Sequence, residues 1–433
     1  MSKIKTVVTG SIFHFLRRPQ SVSDVESFEY FNNGYLALDA NGKIQEVGNF
    51  TQFQMPENID HQDWTGHLIC PGFVDTHIHF AQTDMIASYG EQLLDWLNKY
   101  TFPEEKKFSD PDHARQVADF FLEELLRNGT TTASVFPTVH SSSVSSFFEA
   151  ANQKNMRMIC GKIMMDRNCP PELQDDTSKS EETIRRLIAK WHGTGRLTYS
   201  LTPRFAPTSS PEQLQMAGRL FGEVPGIHLQ SHLAENLGEI EWVKELFPKA
   251  NSYLDVYEEF GLLGERSIYA HCIHISDLDR MKIKNTETSI AFAPSSNSFL
   301  GSGIFDLKAA MDMDIKVGMS TDVGAGTSFS ILQTLGDAYK ALQLRGQNLN
   351  SIEAFYLATL GGARALCLED KIGNFLPGKE GDFIVLDPAA TPLFKRRTQG
   401  ISKLEDLLFT YMILGDDRAI KATYILGKGL YRK

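Results

Sequence analysis

The chain has 433 residues, 42% of them apolar and 10% aromatic, with 43 basic and 54 acidic side chains for a formal net charge of -11. That length exceeds a small module and suits one large domain with a smaller companion. An acidic balance with interspersed charges excludes an electrostatic binder of nucleic acid or anionic membrane and favours a soluble cytoplasmic protein.

The five cysteines, Cys70, Cys160, Cys169, Cys272 and Cys367, include no C-x-x-C pair. Neither a disulfide framework nor a zinc ribbon is expected from them. No run has transmembrane length, and no signal-peptide pattern is read at the N-terminus.

Residues 1–70 read as short strands and turns. The runs 36–39 and 43–47 flank Asn41-Gly42, a hairpin signal. After Pro71-Gly72 the texture changes, and short apolar runs alternate with segments of helical period. Strands are predicted at 73–79, 130–136, 156–164, 196–203, 227–233, 267–273, 288–294 and 316–322. Helices are predicted between them at 112–127, 141–154, 180–192, 211–222, 236–247 and 328–345.

Eight such alternations with near-continuous apolar strands predict a closed parallel (β/α)8 barrel over 71–370. A doubly wound open sheet is the alternative, but no Gly-rich phosphate loop follows an early strand. Strand texture returns from about Lys371, at 383–386 and 422–426. Residues 1–70 and 371–433 are therefore expected to combine in one small β-domain beside the barrel.

Barrel active sites form at the C-terminal ends of the strands. The first predicted strand ends in His77-Ile78-His79, and residues two apart on a strand share a face. Alone, that pair is a weak metal signal. The fifth strand carries His232, the sixth His271, and the eighth ends in Asp322. A single strand histidine is more often a satisfied core residue. Four imidazoles and a carboxylate in register at four strand ends point instead to a metal centre.

The remaining histidines fit no such pattern. His14, His61, His67, His113, His140 and His192 fall in loops, helices or the β-domain. His228 is in phase with His232 but one layer deeper, and reads as a core residue. His274 lies just beyond the sixth strand and reads as structural.

Imidazole and carboxylate donors without thiolate suit Zn2+, with Fe2+ possible. A bridged two-metal centre would call for a lysine on the fourth strand, which ends in Thr202-Pro203-Arg204. Lys162 on the third strand fits poorly, so one ion per chain is expected. Glu235, three residues after His232, can reach over the metal without binding it and shuttle a proton. By itself it would read as a solvated acid at a helix start.

The runs PGFVDTHIH (71–79), SHLAEN (231–236), YAHC (269–272), STDVGAG (320–326) and GNFLPGKEGDFIVLD (373–387) resemble the amidohydrolase superfamily, in order and over nearly the whole chain. The resemblance implies a deformed barrel, a flanking β-sandwich built from both termini, and hydrolysis by metal-activated water. The run HFAQTDMIASYGEQLLDWLNKYTFPEE (79–105), with RFAPTSS (204–210), is similar to the superfamily's guanine-deaminating branch.

That narrower likeness implies hydrolysis of free guanine to xanthine and ammonia. It implies a metal set of His77, His79, His232, His271 and Asp322, with His271 beside the ion and its water. It assigns catalysis to Glu235, Asp322 and His271, with Glu235 protonating a ring nitrogen and Asp322 taking the proton of the attacking water. Substrate contacts fall to His79, Gln82, Arg204, Phe205, His232, Glu235 and Asp322.

The chemistry agrees. A Gln amide and an Arg fork bond the N–H and C=O edges of a purine directionally, and Phe205 supplies a flat apolar wall. Trp96 reads as a pocket wall or, more simply, as a core residue. The H-x-E and P-C-x-x-C motifs of the zinc base deaminases are missing, so no nucleic-acid groove is expected. A homodimer is implied by the resemblance alone. The alternatives are a deaminase of another heterocycle and a non-catalytic scaffold, which would show gaps in the ligand set.

Overall fold

The computed structural model describes residues 4–90 and 92–433. Met1 to Lys3 and Glu91, the latter inside the 79–105 run, lie outside the described residues. Four strands come first: β1 (Thr6–Phe15), β2 (Phe28–Leu38), β3 (Ile44–Asn49) and β4 (Asp60–Pro71). The β2–β3 hairpin turns at Asn41-Gly42, where Gly42 has φ +72 and donates its N–H to the carbonyl of Asp39 at 3.1 Å. The left-handed conformation is why glycine stands there.

The barrel follows as β5 (Phe73–His79), β6 (Thr130–Phe136), β7 (Arg157–Cys160), β8 (Ile163–Met164), β9 (Thr198–Pro203), β10 (His228–Leu233), β11 (Ser267–His271), β12 (Ser289–Phe292) and β13 (Val317–Met319). Neighbours pair in parallel in the order β5-β6-β7-β9-β10-β11-β12-β13, with β8 against β9. Helices including Pro111–Arg127, Ser141–Gln153, Thr177–Trp191, Pro211–Glu223, Leu237–Leu246 and Ile331–Leu344 cover it. Their starts are written locally: Asp110, Asp176, Ser210, Asn236 and Ser330 accept hydrogen bonds from first-turn backbone N–H groups.

Several predicted strands are shorter than expected, and two differ most. The third breaks at Gly161-Lys162, where the backbone of Ser200 comes so close that a Cβ on Gly161 would stand 1.6 Å from its carbonyl oxygen. The neighbouring backbone passes too close for a side chain there. Lys162 leaves the ladder and forms a buried ion pair with Asp175. The eighth strand ends at Met319, three residues early. Residues beyond it cross to β5 and close the ring, with Asp322 N–H donating to His77 O at 3.0 Å and His79 N–H to Val323 O at 2.9 Å.

The chain ends with β14 (Phe383–Leu386), β15 (Ile420–Ile425) and β16 (Lys428–Arg432). These join the first four strands in one mixed sheet, ordered β16-β15-β14-β4-β1-β2-β3. Val8, Ile12, Leu36, Ile69, Phe383, Val385 and Tyr424 give that sheet its own core. A buried ionic clasp joins it to the barrel: Glu380 accepts from Arg157 Nη2 at 2.6 Å and from Arg196 Nε at 3.0 Å, and Asp382 accepts from Arg196 Nη1 at 3.1 Å. Among the described residues no helix is long and apolar enough to cross a membrane.

Candidate active site

The five residues singled out at the strand ends converge on one point. His77 Nε2 lies 3.2 Å from His79 Nε2, which lies 3.3 Å from His232 Nε2. Asp322 Oδ1 stands 3.2 Å from His77 Nε2 and 3.3 Å from His79 Nε2. His271 Nε2 is 3.8 Å from Asp322 Oδ2 and 3.4 Å from Glu235 Oε2. All of these side chains are buried except that of His232, which is partly buried.

The donor set fits a cation. His232 Nδ1 donates to the carbonyl of Arg204 at 2.6 Å and His271 Nδ1 to Asn297 Oδ1 at 2.8 Å, leaving each Nε2 lone pair directed inward. Burial pushes His79 down to about 3, and lowers His77 and, well below its ordinary value, His232. Neutral imidazoles are the ligand form. Asp322 is held far below the carboxylate range despite its burial, through hydrogen bonds from His77 and then His79. Nitrogen atoms this close, with an ionised carboxylate among them, are the donor set of a first-row divalent ion.

Glu235 sits where β10 gives way to its helix. Asn236 caps that helix, and Glu239 accepts from the backbone N–H of Glu235 at 2.9 Å and from Tyr253 Oη at 2.8 Å. Burial, and then the charge of Asp322, push Glu235 up to about 8, while a hydrogen bond from Ser302 at 3.3 Å pulls it down.

A cavity opens from this centre. Its polar lining includes Gln82, Arg204 and Glu235, and its flat walls include Phe205 and Trp96, with Leu93 and Leu300. Arg204 is 2% exposed and gives Nη1 to both oxygens of Glu105, at 2.8 and 2.9 Å. Gln82 donates to Glu105 Oε1 at 3.4 Å and accepts from Gly324 N–H at 3.2 Å.

The Amidohydrolase family profile matches residues 68–430. This chain belongs to the amidohydrolase family. A guanine deaminase of Escherichia coli (strain K12) is 51% identical over 428 residues, spanning 98% of each chain. The structure of an E. coli guanine deaminase superposes with a TM-score of 0.96 over 99% of this chain and all of that one, at 50% identity. A guanine deaminase from C. acetobutylicum, described with guanine bound in its active site, superposes with a TM-score of 0.89 at 30% identity, over 99% of this chain and all of that one.

Around this amidohydrolase centre lie residues that sequence reasoning passed over. Glu105, fully buried, ends the very run that carried the resemblance. Asn297 and Ser302, after β12, anchor His271 and Glu235. Phe136, the last residue of β6, packs its ring within 4.8 Å of those of His77, His79 and His232. The signal available for Phe136 was its place at a strand end; Glu105 and Ser302 offered none.

Trp96 is both wall and buried residue, and its Nε1 has no protein partner. His228 donates through Nε2 to the carbonyl of Leu366, 2.8 Å away, deep below the site. His274 lies 2.8 Å from the carbonyl of Ser302 and so steadies the residue that bonds Glu235.

Proposed function

We propose that this chain hydrolyses free guanine to xanthine and ammonia. The observation that carries the reading is the joining of two halves in one buried cavity. A buried Glu235 and the imidazole–carboxylate cluster stand on one side, and Arg204 and Gln82 on the other. The guanine deaminases of E. coli and C. acetobutylicum support it.

His77, His79, His232, His271 and Asp322 would hold one divalent ion, Zn2+ on this donor set with Fe2+ as the alternative. When bound, such an ion supplies Lewis acidity that lowers the pKa of water from 15.7 to about 7. Asp322, kept ionised by its histidine neighbours, accepts the proton of the attacking water. His271, fixed by Asn297, orients that water. Glu235 delivers its proton to the ring nitrogen and then assists the departing amine. His79, His232, Glu235 and Asp322 face the reacting end of the base, while Gln82 and Arg204 bond its N–H and C=O edges. Phe205 and Trp96 hold the ring flat and exclude water.

The division of the chain at residues 71 and 370 is supported by the handover from β4 to β5 and by the end of the barrel helices at Leu360–Ala365. A homodimer is supported by family resemblance alone, and light scattering checks the assembly; cytoplasmic residence is supported by the interspersed acidic charge.

The test is ammonia release from guanine beside adenine, cytosine and an s-triazine, with metal analysis of the same preparation. Guanine turnover at about one ion per chain is expected, with that ion lost in His232→Ala. Turnover of another ring in place of guanine would overturn the substrate, and full metal occupancy in His232→Ala would overturn the ligand set.

A further inference from the structure

The amidohydrolase cavity holds a positive charge that a neutral base does not need. Arg204 is buried at the end of β9, and an unpaired guanidinium there would cost several kcal/mol or draw an anion from solution. Glu105 prevents this. It arrives from the helix Phe102–Lys106, with 0% exposure.

Both of its oxygens take one nitrogen, Nη1, of Arg204, leaving the rest of the fork free of that carboxylate. The Phe102 ring lies 5.4 Å from the guanidinium carbon. The same carboxylate accepts from Gln82 Nε2, while Gly324 N–H bonds Gln82 Oε1. The amide is thus fixed at both ends and cannot flip. It retains one N–H and one lone pair, which complement the C=O and N–H of a lactam edge.

We propose that Glu105 is a positioning residue that sets charge selectivity: by neutralising Arg204 and fixing Gln82, it fits the cavity to a neutral oxopurine and against an anionic one. The inference rests on the guanine reading above. It bears on turnover, because xanthine carries a second oxo group and loses a proton more readily than guanine. A charge-balanced cavity lets the ionised product go, whereas an uncompensated guanidinium would retain it.

The test compares guanine turnover and competitive inhibition by xanthine across the pH range in which xanthine ionises, in the metal-loaded enzyme. In the wild type, xanthine inhibition weakens as the anion forms; tightening would overturn the proposal. In Glu105→Gln, the guanine KM rises about tenfold while the xanthine inhibition constant falls about tenfold at the alkaline end, with metal content unchanged.

Opposite movement of the two constants is the signature of charge. Constants that move together, or not at all, mark a merely structural residue and overturn the proposal. Glu105→Asp keeps the charge, so its xanthine inhibition should match wild type while its guanine KM rises. If Glu105→Gln does not fold, this variant and the wild-type pH series decide. A wild-type enzyme without guanine turnover would overturn the reaction itself, and this inference with it.

Discussion

Asp322 donates its backbone N–H to the carbonyl of His77 at 3.0 Å, and its carboxylate stands 3.2 Å from the Nε2 of that same histidine. The seam that closes the barrel and the centre of the site are therefore one pair of residues. Asp322 has φ +52, a left-handed conformation that costs a non-glycine residue free energy. A tight turn holds it there, with Gly326 N–H donating to the carbonyl of Asp322 at 2.6 Å.

That turn should not tolerate Gly326→Ala. The added Cβ would meet the carbonyl oxygen of Thr321 at 1.6 Å, so the backbone carrying Asp322 must move. Displacement on the ångström scale costs about 100-fold in rate. We expect turnover to fall by that factor and metal occupancy to fall with it, read by steady-state assay and metal analysis. Wild-type values for both would show that the turn relaxes without moving Asp322.

Glu235→Gln separates proton transfer from metal binding. The amide keeps the shape of the side chain and removes its proton chemistry, so turnover should drop about 100-fold or more. Metal content should stay near that of the wild type, since Glu235 is not counted among the ligands. Undiminished turnover would remove Glu235 from the mechanism.

The ionic clasp between the mixed sheet and the barrel predicts a loss of stability in acid. Burial raises the Glu380 carboxyl, but Arg157, Arg196 and Lys43 outweigh it and bring it from 4.5 down to about 2. A carboxyl lowered in the folded state adds stability that is full above its unfolded value and fades as pH falls towards the folded one. Glu380→Gln should therefore lower the melting temperature at pH 7, by an amount corresponding to about 3–5 kcal/mol for a broken buried pair. The gap should narrow from about pH 4.5 downward. Melting curves with a constant gap down to pH 2 would show that the charge of Glu380 carries none of the effect.

The barrel and the central cluster were legible because both are written in short-range periods. Alternating strand and helix patterns placed the barrel strands, though several end earlier than predicted, and the two-residue period placed His77 and His79 on one face. Glu105 was not legible, although it lies in a quoted run. Its meaning depends on Arg204, 99 positions away, and no local pattern encodes that meeting. Ser302 reaches Glu235 across 67 positions in the same way. The break in the third strand was hidden for a related reason: Gly161 reads as an ordinary weak point until the carbonyl of Ser200 is seen against it.

The mixed sheet has a consequence for how the chain is made. β4 lies between β1 and β14, so its second partner is synthesised roughly 300 residues after it. Until then its free edge is a template for wrong pairing. β4, made before the barrel, is thus completed only after the barrel has been made.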